Sequence, residues 1–95
     1  ENIVYLELLR RGYKVEFGKI KNKEIDFVAS LPNGKIEYYQ VAQTVLDENT
    51  LNRELEPLQD IDDNYPKYLL TRDYNNAVYK GIEHKNVLQW LIGSK

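Results

Sequence analysis

A tight turn, Pro32-Asn33-Gly34, stands between two segments in which apolar residues alternate with polar ones, and it constrains this chain more than any other feature. Asn-Gly accepts the positive φ angles that short hairpins need, and a period of two is typical of half-buried strands. The flanking segments, Glu24 to Leu31 and Lys35 to Gln43, are therefore predicted to pair as antiparallel strands. An alternation ahead of them predicts one more strand, whose inward residues are Tyr13, Val15 and Phe17.

The same period assigns the residues of each strand to one face of the sheet, because side chains two apart point the same way. In the strand over 24–31, one face is predicted to carry Ile25, Phe27, Ala29 and Leu31, and the opposite face Asp26. In the strand over 35–43, one face is predicted to carry Ile36, Tyr38, Gln40 and Ala42. Gln40 and Ala42 are therefore expected to share a face.

Helical patterns flank these strands. The first, Glu1 to Arg11, is dense in helix-forming apolar residues and ends at Gly12, so we expect a mostly buried helix with Glu1 on its apolar stripe. A second helix is predicted from Asp47 to about Gln59, where Pro57 should kink or shorten the last turn.

The rest of the chain is predicted to alternate strand, loop, strand and helix. We expect a buried strand at 67–71, a loop at 74–81, a short strand at 82–85 and a closing helix that Asn86 caps. An order of helix, three strands, helix, strand, short strand and helix predicts an α/β fold with a mixed sheet flanked by helices. The second helix then serves as the crossover to a parallel strand pair.

Composition narrows the class of protein. Ninety-five residues suit one domain, 1–95, and the lack of cysteine excludes disulfide scaffolds and thiolate zinc sites. The sequence contains no membrane-spanning apolar run or signal peptide, so we expect a cytoplasmic protein without a membrane partner. A chain that lacks methionine and starts at Glu1 within a helical pattern is expected to be a piece of a longer protein.

The formal net charge is −2, so the chain lacks the strong basic excess of many nucleic-acid-binding proteins. A local basic cluster could contact nucleic acid or could be the solvated edge of a hairpin; it consists of Lys19, Lys21 and Lys23. The sequence lacks a phosphate-binding G-x-x-x-x-G-K-[ST] loop and a G-x-S-x-G nucleophile turn. His84, the single histidine, is interpreted as a structural residue, and most tyrosines as packing residues.

Four strings carry a family resemblance: residues 1–8, Gly12-Tyr13, residues 23–28 and residues 63–68. They resemble the C-terminal domain of unknown function that follows the ATPase module in a family of prokaryotic AAA-type ATPases. The resemblance implies a restriction endonuclease-like fold, that of the PD-(D/E)XK nucleases, with an αβββαβ core. It further implies that the ATPase module of the parent protein is a partner, with ATP bound outside this chain.

The resemblance also implies a position for the nuclease site. Its helix glutamate corresponds to Glu1, its strand aspartate to Asp26, and its (Asp/Glu)-x-Lys motif to Gln40-Val41-Ala42. In such sites carboxylates hold Mg²⁺ while the lysine orients or stabilises charge. Here glutamine brings no charge and alanine brings no cation, so we expect a degenerate site without cleavage, metal or other cofactor.

Three alternatives stay open at this point. A metal-dependent nuclease could use Glu1 and Asp26 with Mg²⁺ and a lysine displaced from another position, such as Lys21 or Lys67. The basic cluster could bind nucleic acid without cleavage. An exposed edge at the third or fourth strand could support a homo-oligomer.

Overall fold

Six strands and three helices make up the part of the chain that the computed structural model describes, residues 2–20, 23–74 and 76–93. Their bounds are α1 (Asn2–Arg10), β1 (Lys14–Ile20), β2 (Lys23–Ser30), β3 (Ile36–Val41), α2 (Glu48–Gln59), β4 (Lys67–Thr71), β5 (Ala77–Tyr79), β6 (Ile82–Asn86) and α3 (Val87–Ile92).

The strands form one mixed sheet in the order β1-β2-β3-β4-β6-β5. The first three strands are antiparallel neighbours, while β3 pairs with β4 and β4 with β6 in parallel. Parallel neighbours need a crossover connection, and α2 supplies it between β3 and β4. The predicted mixed sheet and its crossover are therefore confirmed, and so is the Pro32-Asn33-Gly34 turn, in which Gly34 has a φ of 92°.

Helices cover both faces of the sheet, so the core has two halves. On one face α1 and α3 bury the cluster of Val4, Leu8, Phe27, Ala29, Tyr39, Leu70 and Trp90. On the other face α2 buries the cluster of Ile25, Val45, Leu55, Leu58, Leu69 and Ile82. The prediction that Gln40 and Ala42 share a face is confirmed: the side chain of Gln40 bonds to α2, and Ala42 packs against the cluster on the α2 face.

A β-bulge in β2 corrects one predicted face. Glu16 pairs with Val28 and Gly18 with Ile25, so two β2 residues, Asp26 and Phe27, stand opposite Phe17. The extra residue reverses the alternation, and Ile25 packs on the α2 face although Phe27 packs on the α1 face.

Two other expectations about strands were wrong. The predicted loop at 74–81 contains β5, which reaches β6 through a tight turn at Lys80-Gly81, where both φ angles are positive. The strands predicted to offer an open edge, β3 and β4, lie in the middle of the sheet; β1 and β5 form the edges. A single sequence shows which segments are strands but not which strand neighbours which.

Burial at the N-terminal end is lower than predicted. Among the described side chains of α1 only Val4 and Leu8 are fully buried, and Phe17 of β1 is 81% exposed. The predicted span of α2 is confirmed: Asp47 caps the helix by accepting a hydrogen bond from the Asn49 N–H, and the helix reaches Gln59. The buried Pro57 lies inside the helix and does not shorten it. Within the described ranges, none of the helices has both the length and the apolar content that a membrane span needs.

Candidate functional site

Side chains replace backbone hydrogen bonds where β2 and β3 separate. The paired ladder runs from Ser30 opposite Ile36 to Phe27 opposite Tyr39 and ends there. Beyond it, Oε1 of Gln40 accepts the N–H of Asp26 at 2.7 Å, and the N–H of Val41 donates to Oδ2 of Asp26 at 2.9 Å. We call this pair of side-chain bridges the Asp26–Gln40 clasp. It lies at the β2 bulge, a feature that commonly redirects side chains beside active sites.

Both the oxygen and the nitrogen of the Gln40 side-chain amide form hydrogen bonds. While Oε1 accepts from Asp26, Nε2 donates to the backbone carbonyl of Glu54 in α2 at 3.2 Å. Gln40 is only 4% exposed, so water cannot replace these partners. An ionised carboxylate at this position could accept but not donate, so it would leave the Glu54 carbonyl without this donor and bring a second negative charge beside Asp26. These two hydrogen bonds therefore favour an amide at position 40, to which the resemblance assigns the acid of the nuclease motif.

Of the two remaining positions that the resemblance assigns to the motif, Glu1 and Ala42, the structure describes Ala42. Ala42 is half-buried and its N–H donates to the carbonyl of Leu70 at 3.0 Å. Glu1 and Lys21 lie outside the described residues, and so does the side chain of Lys23. Lys19 is exposed on β1 and lines, with Asp26 and Glu24, a surface hollow of about 340 Å³.

Lys67, a candidate for a displaced catalytic lysine, forms hydrogen bonds with the segment that precedes β4. Its Nζ donates to the carbonyl oxygens of Asp63 and Tyr65 and to Oδ1 of Asp63, all at about 3 Å. The hydroxyl of Tyr38 donates to the other oxygen of Asp63, and burial together with this carboxylate raises the pKa of Tyr38 to about 12. The string at residues 63–68 is thus a clamp that holds the start of β4 against β3.

The described residues of the clasp do not fit a Mg²⁺ site, which favours several anionic oxygens. They offer one carboxylate, which already accepts a backbone N–H, and one amide oxygen that does the same. Across the described ranges, no three His, Cys, Asp or Glu side chains are grouped to hold a metal ion.

A groove lies between the start of α1, the start of α3 and the end of β3, and of the motif positions described it contains Ala42 but neither Asp26 nor Gln40. We call it the α1–α3 groove; it has a volume of about 560 Å³. Among its described lining residues, Arg72 alone carries charge. The apolar lining includes Ile3, Val4, Val41, Ala42, Leu88 and Leu91. The groove is therefore lined mainly by apolar side chains.

A polar network that the sequence analysis did not predict joins β4 and β6 to the loop before α2, and its centre, Thr71 and His84, is buried. Nε2 of His84 lies 2.7 Å from Oγ1 of Thr71, which also accepts the N–H of Asp73. Asp73 in turn accepts from Thr44 and Val45 in the loop before α2. Nδ1 of His84 is buried without a hydrogen-bond partner, and burial lowers the pKa of the imidazole although Asp73 opposes the shift. These residues are scattered along the sequence, so spacing could not reveal them.

The sequence comparisons give a relative of this chain but no family. No protein-family model matches the chain. An uncharacterized protein from Haemophilus influenzae is 47% identical over 93 residues, which is 97% of this chain and 22% of that protein. The chain thus spans about a fifth of the length of the curated relative it matches.

A solved structure provides the fold class. The crystal structure of a repair endonuclease from Pyrococcus abyssi matches 90% of this chain and 43% of that one, with a TM-score of 0.52 and 14% identity. The strand order, the helices on both faces and this likeness together identify a restriction endonuclease-like fold. The predicted fold class is confirmed.

Proposed function

We propose that this chain is a non-catalytic, nuclease-like interaction module of an AAA-type ATPase. One observation carries the proposal: the buried amide of Gln40 both accepts from Asp26 and donates to the Glu54 carbonyl. A group with that double role stabilises the strands, whereas a metal ligand needs its oxygen directed at the ion. Ala42 supports the same interpretation, because its methyl group cannot stabilise a phosphate transition state.

The ATPase parent is supported by the resemblance of residues 1–8, 23–28 and 63–68 to the C-terminal domain of that family. It is also compatible with the length of the Haemophilus influenzae relative, more than three quarters of which lies outside the match. In this proposal the parent binds ATP through its own module, and residues 1–95 supply neither ATP nor metal chemistry.

The test is a cleavage assay on the longest natural polypeptide that contains this chain. Supercoiled plasmid, single-stranded DNA and RNA are incubated with Mg²⁺ or Mn²⁺, and we expect no products above a reaction without protein. Asp26→Asn is the informative variant, and Asp62→Asn is the control, since it makes the same change at an exposed position. Metal-dependent cleavage that Asp26→Asn abolishes and Asp62→Asn preserves would overturn the proposal.

The competing function is a metal-dependent nuclease that acts on DNA or RNA with a displaced lysine. The fold of the repair endonuclease favours it, and so does the hollow that Lys19 shares with Asp26 and Glu24. If this function is correct, Lys19→Ala should abolish cleavage while Lys14→Ala, an exposed lysine on the same strand, should not.

Binding of nucleic acid without cleavage would depend on Lys19, Lys21 and Lys23. Such binding rests on phosphate contacts and weakens steeply with salt. Fluorescence anisotropy with labelled DNA and RNA at 20 mM and 200 mM salt separates it from protein docking. A salt-sensitive affinity lost on substitution of the three lysines would assign that role.

A further inference from the structure

Two neighbouring helices present apolar side chains to solvent. On α1, Ile3 and Leu6 are each 55% exposed, and Leu9 is also exposed. On α3, Leu88 is 53% and Ile92 is 83% exposed. Apolar residues that cluster on one face of a small domain commonly mark an interaction site.

Two of these exposed residues line the α1–α3 groove. Ile3 and Leu88 line it from opposite helices, and Val41 lines it from β3. Arg11 ties the far ends of the helices together: its guanidinium bonds to Glu7 of α1 and the carbonyl of Trp90, and it stacks 4.1 Å from the centre of the Trp90 ring. These contacts link α1 to α3 outside the groove.

The shape and charge of the groove indicate its occupant. A groove between two helices accepts the apolar face of a third helix, which places side chains at spacings of three and four residues. Arg72 is the charged residue among those described in the lining, so an acidic side chain at the rim of that third helix would complement it.

The length of the Haemophilus influenzae relative indicates where such a helix comes from. The matched region is about a fifth of that protein, so its counterpart of this domain belongs to a much longer polypeptide. A domain covalently linked to its partner meets it at high effective concentration, so even a modest apolar contact stays occupied.

We propose that the α1–α3 groove binds an amphipathic helix from the same polypeptide, outside these 95 residues, with apolar side chains facing Ile3 and Leu88 and an acidic residue facing Arg72. The inference rests on the proposed function, since it gives the non-catalytic module its docking surface.

Cysteine labelling tests the occupant, because residues 1–95 contain no cysteine. Leu88→Cys is introduced into the 95-residue chain and into the longest natural polypeptide that contains it, and alkylation of position 88 is followed by mass spectrometry. The control is Val78→Cys on β5, where Val78 is also exposed. We expect both positions to react at similar rates in the short chain, and position 88 to react at least tenfold more slowly than position 78 in the long one.

Two results would overturn the proposal. Equal labelling of position 88 in both polypeptides would show that nothing in the longer chain covers the groove. Protection in the short chain that grows with its concentration would assign the groove to a second copy instead.

The charge of the occupant has its own test. Arg72→Glu in the longer polypeptide should restore labelling at position 88, and Arg72→Lys should not; unchanged protection with Arg72→Glu would contradict an acidic contact. The melting temperature of the short chain with Arg72→Glu shows whether the variant folds. Metal-dependent cleavage sensitive to Asp26→Asn would overturn the proposed function without changing the labelling, whereas loss of protection without cleavage would overturn the docking inference alone.

Discussion

Nε2 of His84 lies 2.7 Å from the hydroxyl oxygen of Thr71, and neither residue is more than 1% exposed. Whichever nitrogen carries the proton in the neutral ring, Nδ1 is buried without a partner. A protonated ring would bury a charge there, so the fold favours neutral imidazole and the pKa of His84 is lowered from its usual 6.5.

We expect stability to fall as the pH drops from 7.5 to 5. Below about pH 6.5 His84 is protonated in the unfolded chain but stays neutral in the folded chain. The contribution of neutral His84 to stability is therefore complete above this pH and is lost as the pH falls toward the folded pKa. The slope can approach about 1.4 kcal/mol per pH unit. Urea unfolding across this range measures it, and His84→Gln, which removes the only histidine, should flatten the profile. An unchanged slope in that variant would assign the effect to other groups.

Gln40→Glu should destabilise the fold by about 2–4 kcal/mol at pH 7, because it leaves a buried carbonyl without its donor and adds a buried charge. The loss should shrink near pH 4, since a protonated carboxyl can again both accept from Asp26 and donate to the Glu54 carbonyl. Gln43→Glu at the exposed end of the same segment is the control and should change the unfolding free energy by less than about 0.5 kcal/mol. Equal effects of the two variants would contradict the double role of the Gln40 amide.

Gly18→Ala should cost about 1–3 kcal/mol, because an added Cβ would lie 2.7 Å from Cγ2 of Val28 and 3.3 Å from Cβ of Ile25. These contacts sit beside the bulge, so the neighbours cannot move apart without disturbing the β1–β2 pairing. Thermal unfolding compared with Lys19→Ala, an exposed position next to it, gives the measurement. A variant as stable as the native chain would mean that the bulge adapts freely.

Lys80→Asn should stabilise the chain by about 0.5–1 kcal/mol. Lys80 has a φ of 52° in the turn before Gly81, and a left-handed backbone costs most side chains about 1–2 kcal/mol but asparagine less. The Asn-Gly pair is also favoured in two-residue hairpin turns. Lys80→Val should shift the melting temperature in the opposite direction, and a rise with both variants would refute the backbone explanation.

The helices and most strands followed from local patterns, with β5 the exception, whereas the position of the nuclease-like motif came from the family resemblance. Alternation and the Asn-Gly turn predicted the β2–β3 hairpin, and the pairing of Gln40 and Ala42 on one face survived because β3 is regular. The same rule failed at Ile25, because the bulge places one extra β2 residue opposite β1. The sequence of β2 alone does not show its register against β1.

The sequence by itself determined the α/β class, the crossover through α2 and the lack of charge at positions 40 and 42, because each depends on residues close together in the chain. Only the tertiary structure decided what those uncharged residues do. Gln40 meets Asp26 and Glu54, each 14 residues away, and Ile3 comes beside Leu88 in one groove. Such contacts depend on strand order, register and helix placement, which arise from the packing of the whole domain.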